Sequence, residues 1–166
     1  MAWFACVLGA ASGRVGLGCG VAVVALAAHF AWWTADRRAD LVLVGVAVAF
    51  GAIADSSLIA LGRIEYVAPL AGRFAPAWIL VLWAWFAATQ MHSMQWLQAR
   101  PLFAIALGLV GGPLSYLAGE RLDALRFVEP RGTGLAMGAV VFGLATFGLS
   151  RLARHLRTRG AGGSAS

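Results

Sequence analysis

Lysine is absent from this chain of 166 residues, only seven residues are acidic, and all thirteen basic residues are arginine. Charged side chains make up 12% of the sequence, about half the share of an ordinary globular domain. Too little polar surface remains to cover a soluble globule. With 61% hydrophobic residues and a mean hydropathy of +0.80, the composition implies one domain of packed membrane helices over residues 1–159, followed by a flexible tail at 160–166. Cysteine is scarce: Cys6 and Cys19 lie in apolar segments and read as small buried hydrophobes, not as a disulfide framework. No internal repeat is visible, so a transporter built from two inverted halves has no support. No basic n-region or cleavage site marks a signal peptide.

Catalytic signatures are also missing. Three scattered histidines without His-x-x-His spacing argue against a diiron desaturase or a zinc hydrolase, and no metal is expected. Walker, dinucleotide and Gly-x-Ser-x-Gly motifs are absent from a suitable context, and no cofactor is implied. The net charge of +6 does not indicate nucleic acid, because the arginines sit between apolar runs and in the tail, where they suit membrane surfaces.

The apolar runs predict an all-α polytopic membrane bundle of about six spans. Met1 to Ala11 is the short one, about 16 Å of helix against a hydrocarbon core of about 30 Å. It reads either as a half-span or as a span whose start lies upstream. Val15 to Trp33 follows, with Gly16 and Gly20 at small-xxx-small spacing, then Leu41 to Leu61. The connection Thr34 to Asp40 reads as a charged loop and Gly62 to Ala75 as an interfacial one. Pro76 suits the first turn of a fourth span reaching Trp96. Leu102 to Gly119 is the fifth, expected to kink or break at Gly111, Gly112 and Pro113. Glu120 to Arg131 is a charged connection before the sixth, Gly132 to Ser150. Six spans with an arginine-rich tail place both termini on the cytoplasmic side, with seven arginines there against six outside.

Polar residues inside these spans are the candidate site. On a helix, Thr89, His92, Ser93 and Trp96 fall on one face, which should look into the bundle. Counting about 1.5 Å per residue puts Asp55 about 21 Å from the cytoplasmic entry of the third span and Ser115 and Tyr116 about 20 Å from that of the fifth. These three form an outer layer. His29 and His92, about 21 and 22 Å in from the outer ends of their spans, form an inner layer with Thr89 and Ser93. A direct Asp55–His92 pair is not expected. Asp55 is the strongest single signal for function, and its bland reading is a carboxyl bonded to Ser56, Ser57 or Tyr116 that locks helices together. Gly108, Gly112, Ser115 and Gly119 share a face that lets a neighbouring backbone approach.

The run WFACVLGAA at Trp3 to Ala11, His29, Asp55 with Ser56, PAW at Pro76 to Trp78, Leu82 with Trp83, Phe86, Thr89, His92 with Ser93, and GGPLSYLAG at Gly111 to Gly119 resemble the domain-of-unknown-function 2878 family of small bacterial inner-membrane proteins. Members of that family usually carry more apolar residues before the Trp-Phe-Ala-Cys run. The resemblance implies a bacterial inner-membrane location, no assigned activity, and a neighbourhood of lipid-modifying enzymes. Three functions remain open: binding or moving a small or lipidic molecule or assisting envelope lipid metabolism; a lipid-modifying enzyme using Asp55, His92 or Tyr116 as acid or base; and a structural membrane subunit. Membrane lipid and a small hydrophobic ligand are the expected partners.

Overall fold

A computed structural model describes residues 1–34 and 36–163, the last four of these by backbone alone. Six α-helices account for most of the chain: α1 (Ala2–Ala11), α2 (Val15–Trp32), α3 (Arg37–Ala60), α4 (Ala77–Met91), α5 (Pro101–Arg121) and α6 (Arg131–Gly163). Four of them, α2, α3, α5 and α6, are long and apolar enough to cross a membrane. The described part of the tail continues α6 as helix to Gly163, and the end of the expected flexible segment, residues 164–166, lies outside the described residues.

The bundle wears its apolar residues outside. Leu17, Val24, Ile53, Leu102, Val110, Leu114 and Leu144 are each more than half exposed, whereas Asp40, Asp55, Gln90, Thr146 and Ser150 are buried. A water-soluble protein rarely exposes so much contiguous hydrocarbon, while a lipid-embedded one satisfies its polar groups inside.

Close packing follows from glycine. On α5, a Cβ at Gly108 would overlap the Phe142 carbonyl of α6, one at Gly112 would overlap the Phe142 side chain, and one at Gly119 would press on Leu125. That face therefore meets its neighbours as its small-residue spacing predicts. In α2 the expected pair Gly16 and Gly20 faces open space, and Gly18 instead lies against Ala5 and Gly9 of α1. Spacing identified small residues but not which side of α2 the partner would occupy.

Of the kink or break expected at Gly111, Gly112 and Pro113, the break does not occur: α5 is helical from Pro101 to Arg121 with Pro113 inside it. Proline removes a single N–H donor, and the close α6 neighbour covers this face. The fourth span is shorter than expected, because α4 stops at Met91. His92 leaves the helix at φ −119°, ψ −86°, the Met94 N–H returns to the Thr89 carbonyl at 2.8 Å, and a short 3-10 helix runs from Gln95 to Ala99. Side-chain amides finish the helix end: Gln95 donates to the Met91 carbonyl at 2.5 Å and Gln98 to the Gln90 carbonyl at 2.9 Å.

Both long connections at one end of the bundle contain a strand. β1 (Ile64–Tyr66) pairs antiparallel with β2 (Leu125–Phe127), with Ile64 opposite Phe127, Glu65 opposite Arg126 and Tyr66 opposite Leu125. Ile64, Tyr66, Leu125 and Phe127 point inward, while Glu65 and Arg126 bond to each other outside at 2.6 Å. The ladder thus straps the α3–α4 connection to the α5–α6 connection. It also carries Tyr66 into the core.

Candidate functional site

α3 begins at a cap, Asp36 accepting the Ala39 N–H at 3.0 Å. Its buried stripe then runs Asp40, Leu43, Ala47, Gly51, Asp55, Leu58, with steps of three or four residues. Two buried acids therefore lie on one face, fifteen residues and about 22 Å apart. Each organises a separate polar centre.

At the strand end, Asp55 is 1% exposed. Its Oδ1 accepts the hydroxyls of Tyr66 at 2.5 Å and Tyr116 at 2.7 Å, and its Oδ2 accepts the Trp83 indole N–H at 2.7 Å. Gly51, one turn earlier, makes room for the Trp83 ring, which a Cβ there would overlap. Four elements, α3, β1, α4 and α5, converge on one carboxyl group. Burial first, and then the neighbouring Tyr116 and Asp55, push the Tyr66 phenol well above its ordinary pKa, so it remains a donor. The sequence-based depth count placed Asp55 and Tyr116 in one layer, and they touch. Tyr66 and Trp83 were missed. Ser56 and Ser57 do not bind the carboxyl: Ser56 Oγ accepts the Ala75 N–H, and Ser57 donates back to the Ile53 carbonyl. Ser115 accepts the Trp3 indole N–H at 3.0 Å.

The second centre joins His29 of α2, Asp40 of α3 and His92 just after α4. The two imidazole centroids are 4.5 Å apart at 87°, and His92 Nε2 lies 3.5 Å from Asp40 Oδ2. His29 also stacks against Trp33 and approaches Trp85. Unlike Asp55, this group is short of partners: His29 Nε2, His92 Nε2 and Asp40 Oδ1 are buried without a hydrogen bond. His29 and His92 meet in one layer, as counted from sequence. Thr89 and Ser93 do not complete it, since Thr89 donates to the Phe86 carbonyl and Ser93 is exposed. Trp96 is also exposed, because the ridge that would have held it leaves the helix at His92. Nearby, Gln90 is fully buried and its Oε1 accepts the Ser150 hydroxyl at 2.9 Å.

Asp55, Trp83 and Tyr116 of the first centre also line a cavity of about 480 Å³. α1 and α2 form one side of it through Trp3, Val7 and Ala25; Trp83, Trp85, Phe86 and Phe142 supply aromatic surface on the other. Trp83 stacks on Phe142 at 5.0 Å, and Tyr116 meets Phe142 edge-on at 5.5 Å. Polar contributions come from Asp55, Thr89, Ser115 and Tyr116. Among the described residues, no group of three or more His, Cys, Asp or Glu side chains is placed to hold a metal ion.

An apolar exterior around a polar-keyed interior and a central cavity defines a membrane helix bundle. Within that class, the chain belongs to the family described as Protein of unknown function (DUF2878), whose family model matches residues 1–147. Comparison with curated proteins and with solved structures gave no match.

Proposed function

We propose that this protein is a multi-pass protein of the bacterial inner membrane that binds or moves a lipidic molecule, both termini lying on the cytoplasmic side. The supporting observation is the cavity, whose surface is mainly aromatic and aliphatic with a few polar groups, the usual composition of a site for a small apolar ligand. Orientation follows the side holding Arg37, Arg38, Arg100, Arg151, Arg154, Arg157 and Arg159, whose four-arginine tail carries no acid, whereas Glu65, Glu120, Asp123 and Glu129 accompany the arginines at the strand end. Binding is favoured over lipid chemistry because all three donors around Asp55 are already spent on it. A general acid or base must be free to reach a substrate proton, and Asp55 and Tyr116 satisfy each other instead. Assistance to an envelope lipid enzyme is the cellular role this reading accommodates.

Purification into nanodiscs, followed by extraction and mass spectrometry, tests the proposal. The wild-type chain retains one lipid class above its share of the surrounding membrane, and Ala25→Phe or Leu82→Trp, each adding bulk to the cavity wall, abolishes that enrichment. Equal lipid profiles in the wild type and both folded variants refute it.

A further inference from the structure

We propose that His29, Asp40 and His92 form a proton-binding site that fastens the α1–α2 hairpin, one wall of the cavity, to the rest of the bundle. The consequence for the cavity rests on the ligand-binding reading above; the site itself does not.

The hairpin is the least anchored part of the fold. Outside their mutual packing, α1 and α2 make their main contacts with α4 alone. Among the described residues three hydrogen bonds tie them across: Trp3 to Ser115, the Trp85 indole N–H to the Ala22 carbonyl at 2.9 Å, and Arg37 at the start of α3 to the Ala31 carbonyl at 3.4 Å. Toward its C-terminal end, α2 meets the bundle at His29.

There the chemistry is incomplete in a way that one proton resolves. Asp40 is 3% exposed, one of its oxygens has no partner, and the other faces a histidine nitrogen at 3.5 Å, beyond good hydrogen-bond distance. Buried polar atoms without partners are costly. In its neutral Nε2–H tautomer His92 already turns a donor toward the carboxylate; a proton on the second ring nitrogen makes that donor charged, and the contact closes toward the roughly 2.8 Å of a charge-assisted bond. The half-buried histidine and the buried carboxylate then carry no net charge together, and the His92 edge draws the His29 ring with it. A second proton would set two imidazolium rings 4.5 Å apart, so the site takes one. No competing ionisable group comes from α4, which has none, and His29 is the one on α2. On α3, Asp36 is engaged as the cap, Arg37 reaches the Ala31 carbonyl at 3.4 Å and Arg38 is exposed; after α4, Arg100 sits over Trp96; on α6, Arg151, Arg154, His155 and Arg157 are exposed or half-buried at the bundle surface.

Imidazole gains a proton and a positive charge on acidification. Acidification therefore pins α2 against α3 and α4, and alkaline pH releases it. The test uses the full chain in nanodiscs with Cys6→Ala and Cys19→Ala and spin labels at Val24→Cys and Val46→Cys, both exposed positions on α2 and α3. The interlabel distance distribution narrows and shortens as the sample is acidified. His92→Gln and Asp40→Asn flatten the response, and His29→Gln serves if either fails to fold. A distance independent of pH in the wild type, or an unchanged response in all folded variants, overturns the proposal. Lipid retention measured on the same samples keeps the two readings apart: a pH-dependent distance without retained lipid leaves the proton site standing and removes the cavity reading, and retained lipid with a pH-flat distance does the reverse.

Discussion

Asp55 holds three donors from three elements, so replacing it by asparagine should expose how much of the fold depends on that junction. Asparagine keeps the shape and one carbonyl oxygen. Placed at the Oδ1 position, that oxygen still accepts from Tyr66 and Tyr116, but the amide nitrogen then faces the Trp83 indole N–H, donor against donor. Trp83 is 3% exposed, so no water takes over. A hydrogen bond to a charged acceptor contributes about 1.5–3 kcal/mol, and the phenols also lose charge assistance, so Asp55→Asn should destabilise by about 3 kcal/mol. That is a large part of a total commonly near 5–15 kcal/mol. Asp55→Ala strands three buried donors at about 1–3 kcal/mol each, enough to prevent accumulation of folded protein.

The assay is reversible unfolding in mixed micelles, applied as a double-mutant cycle with Trp83→Phe. Removing the indole donor should cost about 1.5–2 kcal/mol less in the Asp55→Asn background than in the wild type. If the two substitutions instead add to within about 0.5 kcal/mol, the Asp55–Trp83 bond does not carry the stability assigned to it.

Glycine tolerance should follow the local space. Gly51→Ala, which drives a methyl into the Trp83 ring, lowers stability by at least 1–3 kcal/mol, roughly the effect of core overpacking, while Gly111→Ala, with open space around it, is neutral or stabilising by up to about 1 kcal/mol; the same unfolding assay ranks them. Ser150→Ala leaves the buried Gln90 Oε1 unpaired and costs about 1–3 kcal/mol, a loss that Gln90→Met in the same chain largely recovers.

Much of the helical framework was legible because a membrane span is a local property: some twenty apolar residues in a row need no knowledge of their partner. Depth counting worked for the same reason, bringing Asp55 to Tyr116 and His29 to His92. Asp40 was lost because its neighbours Arg37 and Arg38 made the segment look like a loop. The recoverable signal was Asp36 as a helix cap, with Asp40, Leu43 and Ala47 continuing the inward stripe of Asp55. The strands were harder to see. Ile-Glu-Tyr and Leu-Arg-Phe alternate correctly, but three residues are too few to establish a period, and their partners lie about sixty residues apart. Tyr66, which reaches Asp55 from one of them, was hidden with them.

The strap made by β1 and β2 has a consequence for how the chain is assembled. Its two halves belong to connections separated in synthesis by α4 and α5, and both must reach the same end of the bundle before a single rung can form. Nor can Asp55 collect all its donors sooner, since Tyr66 comes from the first connection and Tyr116 from the end of α5. Until α5 is in place beside α3 and α4, Asp55 therefore lacks one of its donors. The short strand pair thus records that α4 and α5, the two helices between its halves, have arrived, while α6, which follows β2, has still to close on α5.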